Sequence, residues 1–519
     1  MFLPGKPLEP PRKGMTAVQG NREEVIWKQA YGLGPVDAKY TEAPLLNIPA
    51  YTHPLLALPF QAFQMNSRFP SSWGMRLAIA VYQALWVVLL PVYLLFLWQR
   101  GKREPLYRQF WSERWGIVPT RLKNPIWVHS ASMGEIRGAA PLVRALLEAG
   151  YPVLVTTLTP AGRTAAQKLL ETDISQGRAQ VAYLPFEWRS SVTRFIRNVQ
   201  PRCAMMTEID TWPVLLNTIR QEGLPLCMAN AQYPKKSIER DLQRWGGFRA
   251  KLFPAYQLVM CKSETHAARF RQVGCSRVEV VGETRFDLPI STSQIAAAAL
   301  WVQHWQLGLM ERPVVAFSSA IVGEDEQFID AMQQIQQGLA AAGKTKPLFV
   351  YVPRSPQRFD TVHDLLKSAG LQTLRRSEVF DAQWQLRHSK TDLRDVDVLL
   401  GDSLGEMYFY LALSHAVVVG ASFVPMGAHN VIEPLALKKP VMVGHSIWGI
   451  EYPGVEALAA GVLQQHMSIP ALAQALVHLL TAPGAYAQAM AGAERFYAEH
   501  AGSTTKHMAV LVPWLEAAA

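Results

Sequence analysis

A chain of 519 residues is too long for one ordinary hydrophobic core and implies two domains plus extras. Apolar residues make up 49% of it and charged residues 18%, an oily balance that points to membrane contact. Cys203, Cys227, Cys261 and Cys275 show no CxxC spacing, and the histidines form no HExxH or ligand cluster, which argues against a disulfide frame or a zinc site. The cysteines read as buried thiols of a reducing compartment. Of the formal charge of +10, residues 1–125 supply +8, with 15 Lys/Arg against 7 Asp/Glu.

Residues 1–74 are punctuated by proline and read as an irregular extension. Met75 falls just after them and is an alternative start. The run Leu77 to Trp98 follows, 22 residues without a charge, long enough to span a bilayer. Pro91 is expected to kink or break that helix, and Tyr82, Trp86, Tyr93 and Trp98 suit a membrane interface. Arg100, Lys102, Arg103 and Arg108 then form a basic flank, the pattern that favours an anionic cytoplasmic leaflet. No basic motif interleaved with aromatics is present, so nucleic acid is not an expected partner.

From about Asn124 the pattern is α/β. Strands are expected at Ile126–His129, Pro152–Thr157, Val181–Leu184, Cys203–Met206, Pro225–Ala229, Gln257–Cys261 and Val278–Val281. A break falls near Asp287 to Thr292. Strands resume at Val314–Phe317, Leu348–Val352, Val396–Leu400, Ala416–Val419 and Val441–Val443. The fold class is therefore α/β, with two tandem Rossmann-like doubly wound domains, at 100–287 and 288–519, behind an anchor helix at 75–99. Ligands are expected at the carboxyl ends of the strands.

Those ends carry the polar chemistry. After the first strand, Glu135 sits at the opening of a helix. Its modest role there is to offset the helix dipole, and its chemical one is proton abstraction. After the fourth strand come Glu208 and Asp210. In the second half Arg354 follows the strand Leu348–Val352, where a guanidinium suits phosphate, and Gly405, Glu406 and Met407 open a helix.

The segment Gly420 to Gly444 passes from a buried strand into a glycine-punctuated loop, then a helix expected to open at Asn430, then another strand. Free backbone N–H groups and a helix N-terminus directed at one point suit a phosphate or carboxylate. Asn430 and Glu433 have capping-box spacing, and Glu433 is also placed to reach a ribose.

The motifs HSASMGE, TTLTPAG, YLPFE, TEIDTWP, ANAQ, VPRSPQRF, GDSLGEM and GAHNVIEP, in this order behind an apolar helix, resemble those of the 3-deoxy-D-manno-octulosonic acid (Kdo) transferases of lipopolysaccharide assembly. That resemblance implies a two-domain fold of glycosyltransferase type B. It also implies inverting transfer of Kdo from CMP-Kdo to the lipid A precursor, with no cofactor and no metal. The implied place is the cytoplasmic face of the bacterial inner membrane, with anionic inner-membrane lipid as a further partner. By the same resemblance Glu135 is the general base, Glu208 and Arg285 stabilise the transition state, and Pro353, Arg354, Gly405, Glu406, Met407, Asn430, Val431, Ile432 and Glu433 bind the CMP donor.

The chain departs from the family pattern in places. Arg285 stands where lysine is usual, and Asp210 replaces a second glutamate. Gln232 replaces the arginine of ANAR, Ser318-Ser319-Ala320 lacks a histidine, and Gly444 to Pro453 lacks an asparagine-phenylalanine pair. A divergent paralogue, or another two-domain enzyme using a different nucleotide sugar or acceptor, is the alternative.

Overall fold

A computed structural model describes residues 69, 72–388 and 393–517. The irregular extension expected over 1–74 lies, apart from Phe69 and residues 72–74, outside them. The described residues up to Leu288, joined by those from His500 onward, form one compact unit, and Pro289–Glu499 forms the other.

In the first unit, Trp73–Arg100 is one helix, begun by Ser72, whose hydroxyl accepts the Met75 N–H at 3.2 Å. It runs on without a break through Pro91, where a kink or break was expected. Contacts on both sides of the proline hold it: the Tyr82 hydroxyl donates to buried Glu187, and the Tyr93 ring meets Phe186 edge-on at 6.1 Å. Met75, Ile79 and Leu97 are buried, whereas Leu85, Val88, Val92 and Leu95 are exposed. One side of the helix therefore packs on the unit while the other presents bare apolar surface. The helix is long and apolar enough to cross a membrane.

The unit's sheet comprises β1 (Ile126–His129), β2 (Val153–Thr157), β3 (Ala179–Tyr183), β4 (Cys203–Thr207), β5 (Leu226–Ala231), β6 (Leu258–Cys261) and β7 (Val278–Val280). All neighbours are parallel, in the order β3-β2-β1-β4-β5-β6-β7. Alternate residues point to opposite faces. Trp127, Leu154, Ala204 and Met206 enter one core, and Ile126, Val128, Val153 and Met205 enter another. Strands β1, β2, β4, β5 and β6 are buried throughout, which is why they read as largely apolar runs, whereas the edge strand β7 is half-exposed. The four cysteines are free and buried.

The second domain was expected to run to the C-terminus, but the chain's last helix, Ser503–Ala517, belongs to the first unit. Leu511, Trp514 and Leu515 enter the same core as Ile136 and Leu142. Asp287 fastens the entry to this helix by accepting the N–H groups of Gly502 and Thr504 at 2.6 and 2.5 Å.

The second unit's sheet comprises β8 (Val314–Ala320), β9 (Leu348–Pro353), β10 (Thr373–Arg375), β11 (Val398–Leu400), β12 (Ala416–Val419), β13 (Val441–Val443) and β14 (Leu463–Gln465). It is also parallel, in the order β10-β11-β9-β8-β12-β13-β14. The two edge strands, β10 and β14, are additions to the sequence-based expectation. Two seven-stranded doubly wound sheets are the tandem Rossmann-like architecture the sequence implied.

Candidate active site

In the first sheet the strand order reverses between β1 and β4, the kind of switch point at which open α/β sheets bind ligands. Glu135 follows β1 and Glu208 follows β4. Glu135 lies in the first turn of the helix Met133–Glu148, whose N-cap is Ser132. The Ser132 hydroxyl accepts the Glu135 N–H at 3.4 Å and donates to Glu135 Oε1 at 3.2 Å, while Oε2 accepts the Ala131 N–H at 2.6 Å. This is capping-box reciprocity shifted by one residue. Thr157 Oγ1, from the TTLTPAG motif, donates to the Ala131 carbonyl at 3.1 Å and so ties down the residue whose N–H holds the carboxylate.

Burial, aided by the charges of Asp210 and Glu208, raises the Glu135 pKa to about 7, against smaller opposing effects of the Ala131 N–H and His129. The carboxyl is thus poised to take up or release a proton near neutrality.

Glu208 has φ +63°, a left-handed conformation unusual for a residue with a side chain, and its neighbour across the sheet, Asn230, has φ +49°. Glu208 Oε2 lies 2.7 Å from Lys262 Nζ, and Glu208 Oε1 lies 3.1 Å from an Arg285 Nη atom. Lys262 Nζ is also 2.6 Å from Glu283 Oε2, which lies 3.5 Å from the other Nη of Arg285. Two carboxylates and two cations therefore close a ring. Burial pushes the Glu283 carboxyl up, but Lys262 and Arg285 overcome it and hold it below the ordinary range. Arg285 is raised chiefly by Glu283, then against burial by Glu208 and Glu135. Gly138 leaves room for this guanidinium, since a Cβ there would sit 3.0 Å from Arg285 Nε. His129 Nε2 is 3.2 Å from Asp210 Oδ2, so β1 and the loop after β4 meet beside the ring.

Glu135, Glu208 and Arg285, picked out separately in the sequence, are thus one electrostatic cluster. Lys262 and Glu283 were missed. Each sits at a strand's carboxyl end, and that position was the available signal.

In the second unit the loop after β12 differs from expectation. Its N–H groups are not free: buried Glu324 Oε2 accepts that of Ala421 at 2.7 Å, and Oε1 accepts those of Ser422 and Phe423, each at 3.0 Å. Oε2 also accepts the Ile321 N–H at 3.1 Å. The carboxylate this loop suits is the chain's own. Ser319, Ala421 and Ala428 around it all have positive φ, near +60°.

The following helix is Ile432–Ala436 with Val431 as N-cap, not Asn430 as expected. Asn430 Oδ1 instead accepts the Ile432 N–H at 2.9 Å, an Asx turn that leads into the helix. Glu433 lies in the first turn, close enough to Tyr408 to help burial raise that phenol. The segments Gly405–Met407 and Asn430–Glu433 are therefore adjacent. Glu406 caps the helix Met407–Leu413 and is bound by Arg376 Nη2 at 2.9 Å.

Pro353 ends β9 and is buried, and the side chain of Arg354 beyond it is exposed. Burial, and then the charge of Arg354, lowers His429 to about 4, so this imidazole is neutral at pH 7. Arg358 of the same motif turns inward, to Asp325 and the Ala320 carbonyl.

Residues 109–288 match the family profile described as 3-deoxy-D-manno-octulosonic-acid transferase (kdotransferase). Over 433 residues, 82% of this chain and 97% of the relative, the chain is 34% identical to the 3-deoxy-D-manno-octulosonic acid transferase of Bordetella pertussis. The chain belongs to the Kdo transferase family. It is also 28% identical to the enzyme of that name from Haemophilus influenzae, over 84% of this chain and 98% of that one. A solved C-terminal CMP-Kdo binding domain of WaaA from Acinetobacter baumannii is 29% identical over 40% of this chain and 98% of that one, with a TM-score of 0.34. Kdo glycosyl transfer is accordingly the activity within which this Kdo transferase's cluster of carboxylates and cations is to be understood.

Proposed function

We propose that the chain moves Kdo from CMP-Kdo to the lipid A precursor (lipid IVA), inverting the anomeric centre, on the cytoplasmic face of the bacterial inner membrane. The observation that carries this reading is Glu135, a carboxyl held by the Ala131 N–H with a pKa near 7 beside the ring that presents Arg285. A sugar hydroxyl is a weak nucleophile, and a base near neutrality is what its activation requires.

Glu135 takes the hydroxyl proton as the acceptor oxygen bonds to the anomeric carbon. The bond from that carbon to the phosphate oxygen breaks, and CMP leaves with the electron pair. Arg285 opposes the charge that develops at the reacting centre, and Arg354 that of the departing phosphate. Pro353, Gly405 to Met407 and Asn430 to Glu433 complete the nucleotide side. With cationic side chains in these roles, the reaction calls for neither a metal nor a further cofactor.

The exposed apolar side of Trp73–Arg100 supports membrane residence, together with Arg100, Lys102, Arg103 and Arg108 at its end. The Arg108 guanidinium lies 4.4 Å over the Trp98 ring, which keeps one cation at the apolar boundary, suited to anionic lipid.

Calorimetry with CMP, CMP-Kdo and UDP tests the donor. Binding of the CMP compounds in preference to UDP is expected, and the reverse preference would favour the alternative of another nucleotide sugar.

A further inference from the structure

The ring's four charged side chains and Gln232 lie along one edge of the first sheet. Glu208 follows β4, Gln232 follows β5, Lys262 follows β6, and Glu283 and Arg285 follow β7. Their side-chain exposures grade from the inside outward: 1% for Lys262 and Glu283, 9% for Glu208 and 29% for Arg285. Only Arg285 is open enough to meet a substrate. Lys262 Nζ touches Glu208, Glu283 and, at 3.1 Å, the side-chain oxygen of Gln232. Its three donors therefore have three acceptors and none left for a ligand.

We propose that Lys262 is a positioning residue for the transfer: its ammonium binds Glu208 Oε2 and Glu283 Oε2 from within, so that Glu208 Oε1 and the shared Glu283 Oε2 hold the Arg285 guanidinium toward the substrate. The inference rests on the assignment of Glu135, Glu208 and Arg285 to the reaction. With Lys262 in place the ring balances two anions with two cations. Without it, both carboxylates compete for Arg285 and the ring carries a net negative charge.

That charge lies beside Glu135. The groups facing Glu135 are Asp210 and Glu208, which raise its pKa, His129, which lowers it, and Arg285, which feels its charge. An added negative charge here favours the protonated carboxyl, so the pH at which the base becomes available moves upward. A purely structural lysine would leave that pH unchanged. Position 232, where the related pattern has arginine, gives a means of returning the cation, because Gln232 already reaches Lys262 Nζ.

The test compares wild type, Lys262→Gln, Gln232→Arg/Lys262→Gln and Glu135→Gln in the full-length chain. Thermal melting establishes folding, and turnover with CMP-Kdo and the lipid A precursor is followed across pH. Lys262→Gln is expected to lower kcat about 100-fold, the scale of a misplaced reacting group, with little change in donor KM and a higher acid limb of kcat/KM. The double variant is expected to recover at least about ten-fold of that loss and to move the acid limb back.

A folded Lys262→Gln with wild-type kcat and pH profile overturns the inference, as does a folded double variant no better than the single. If Lys262→Gln does not fold, the double variant decides: folding with turnover supports the inference. Folding without turnover, or failure to fold, overturns it. Full activity of Glu135→Gln would instead overturn the underlying site assignment, whatever the lysine variants do.

Discussion

Glu324 Oε1 accepts the backbone N–H of Ser422 at 3.0 Å across 98 residues of chain, joining the loop after β8 to the loop after β12. The second sheet's order places β8 and β12 side by side, so this bond closes the sheet's own switch point. The carboxylate satisfies four N–H groups in a place shut off from water.

Glu324→Ala should therefore destabilise the protein substantially, by about 3 kcal/mol or more, since each abandoned buried donor costs about 1–3 kcal/mol. Glu324→Gln keeps one acceptor and should lose less. Denaturant unfolding of both variants measures the order, and an alanine variant as stable as wild type would show that these bonds contribute little.

A second expectation concerns Glu135. Glu135→Gln should reduce turnover by about 10²–10⁴-fold, the contribution of general base catalysis, with affinity for CMP near wild type. The base acts when deprotonated and its pKa is about 7, so kcat/KM should fall as pH drops through that value. A rate profile flat between pH 5 and 8, measured at about half-unit steps, would separate Glu135 from the proton transfer.

The strand ends that carry Glu135, Glu208 and Arg354 were legible because buried parallel strands are short apolar runs followed by polar turns, whereas Arg285, after the half-exposed edge strand β7, was reached only through the family resemblance. What the sequence hid is partnership across distance. Lys262 lies 54 residues from Glu208, and Lys262-Ser263-Glu264 alone is simply a polar turn after a strand. Glu324 likewise stands in the run Glu324-Asp325-Glu326 at a helix start, where nothing local marks which acid turns inward. The strands β10 and β14 escaped notice because each has three residues and two are polar in either case, as edge strands permit. His507 was invisible for another reason: the last helix returns to the first unit, where His507 Nε2 accepts the Asn230 N–H at 3.3 Å.

On the donor side, Arg354→Ala should weaken CMP-Kdo binding by about 1.5–3 kcal/mol, the scale of a charge-assisted hydrogen bond. Calorimetry reads this directly. In the same assays EDTA should leave turnover intact, and a strict requirement for a divalent ion would count against charge stabilisation by Arg285 and Arg354.

For membrane attachment, the exposed side of Trp73–Arg100 allows a test that spares the packed side. Leu85→Glu with Val88→Glu places two charges on exposed apolar positions and should shift the protein toward the soluble fraction. High salt should weaken only the contribution of Arg100, Lys102, Arg103 and Arg108. Retention of the double variant on membranes at high salt would mean that another surface holds the protein there.

The most direct measurement is the product itself. Purified full-length protein in detergent or vesicles, given CMP-Kdo and the lipid A precursor, should yield a glycolipid heavier by Kdo, seen by mass spectrometry, with release of CMP. The new glycosidic bond should have the opposite anomeric configuration to the donor, and Glu135→Gln should give almost none of it. Transfer from a UDP-sugar but not from CMP-Kdo, or undiminished product with Glu135→Gln, would contradict the account.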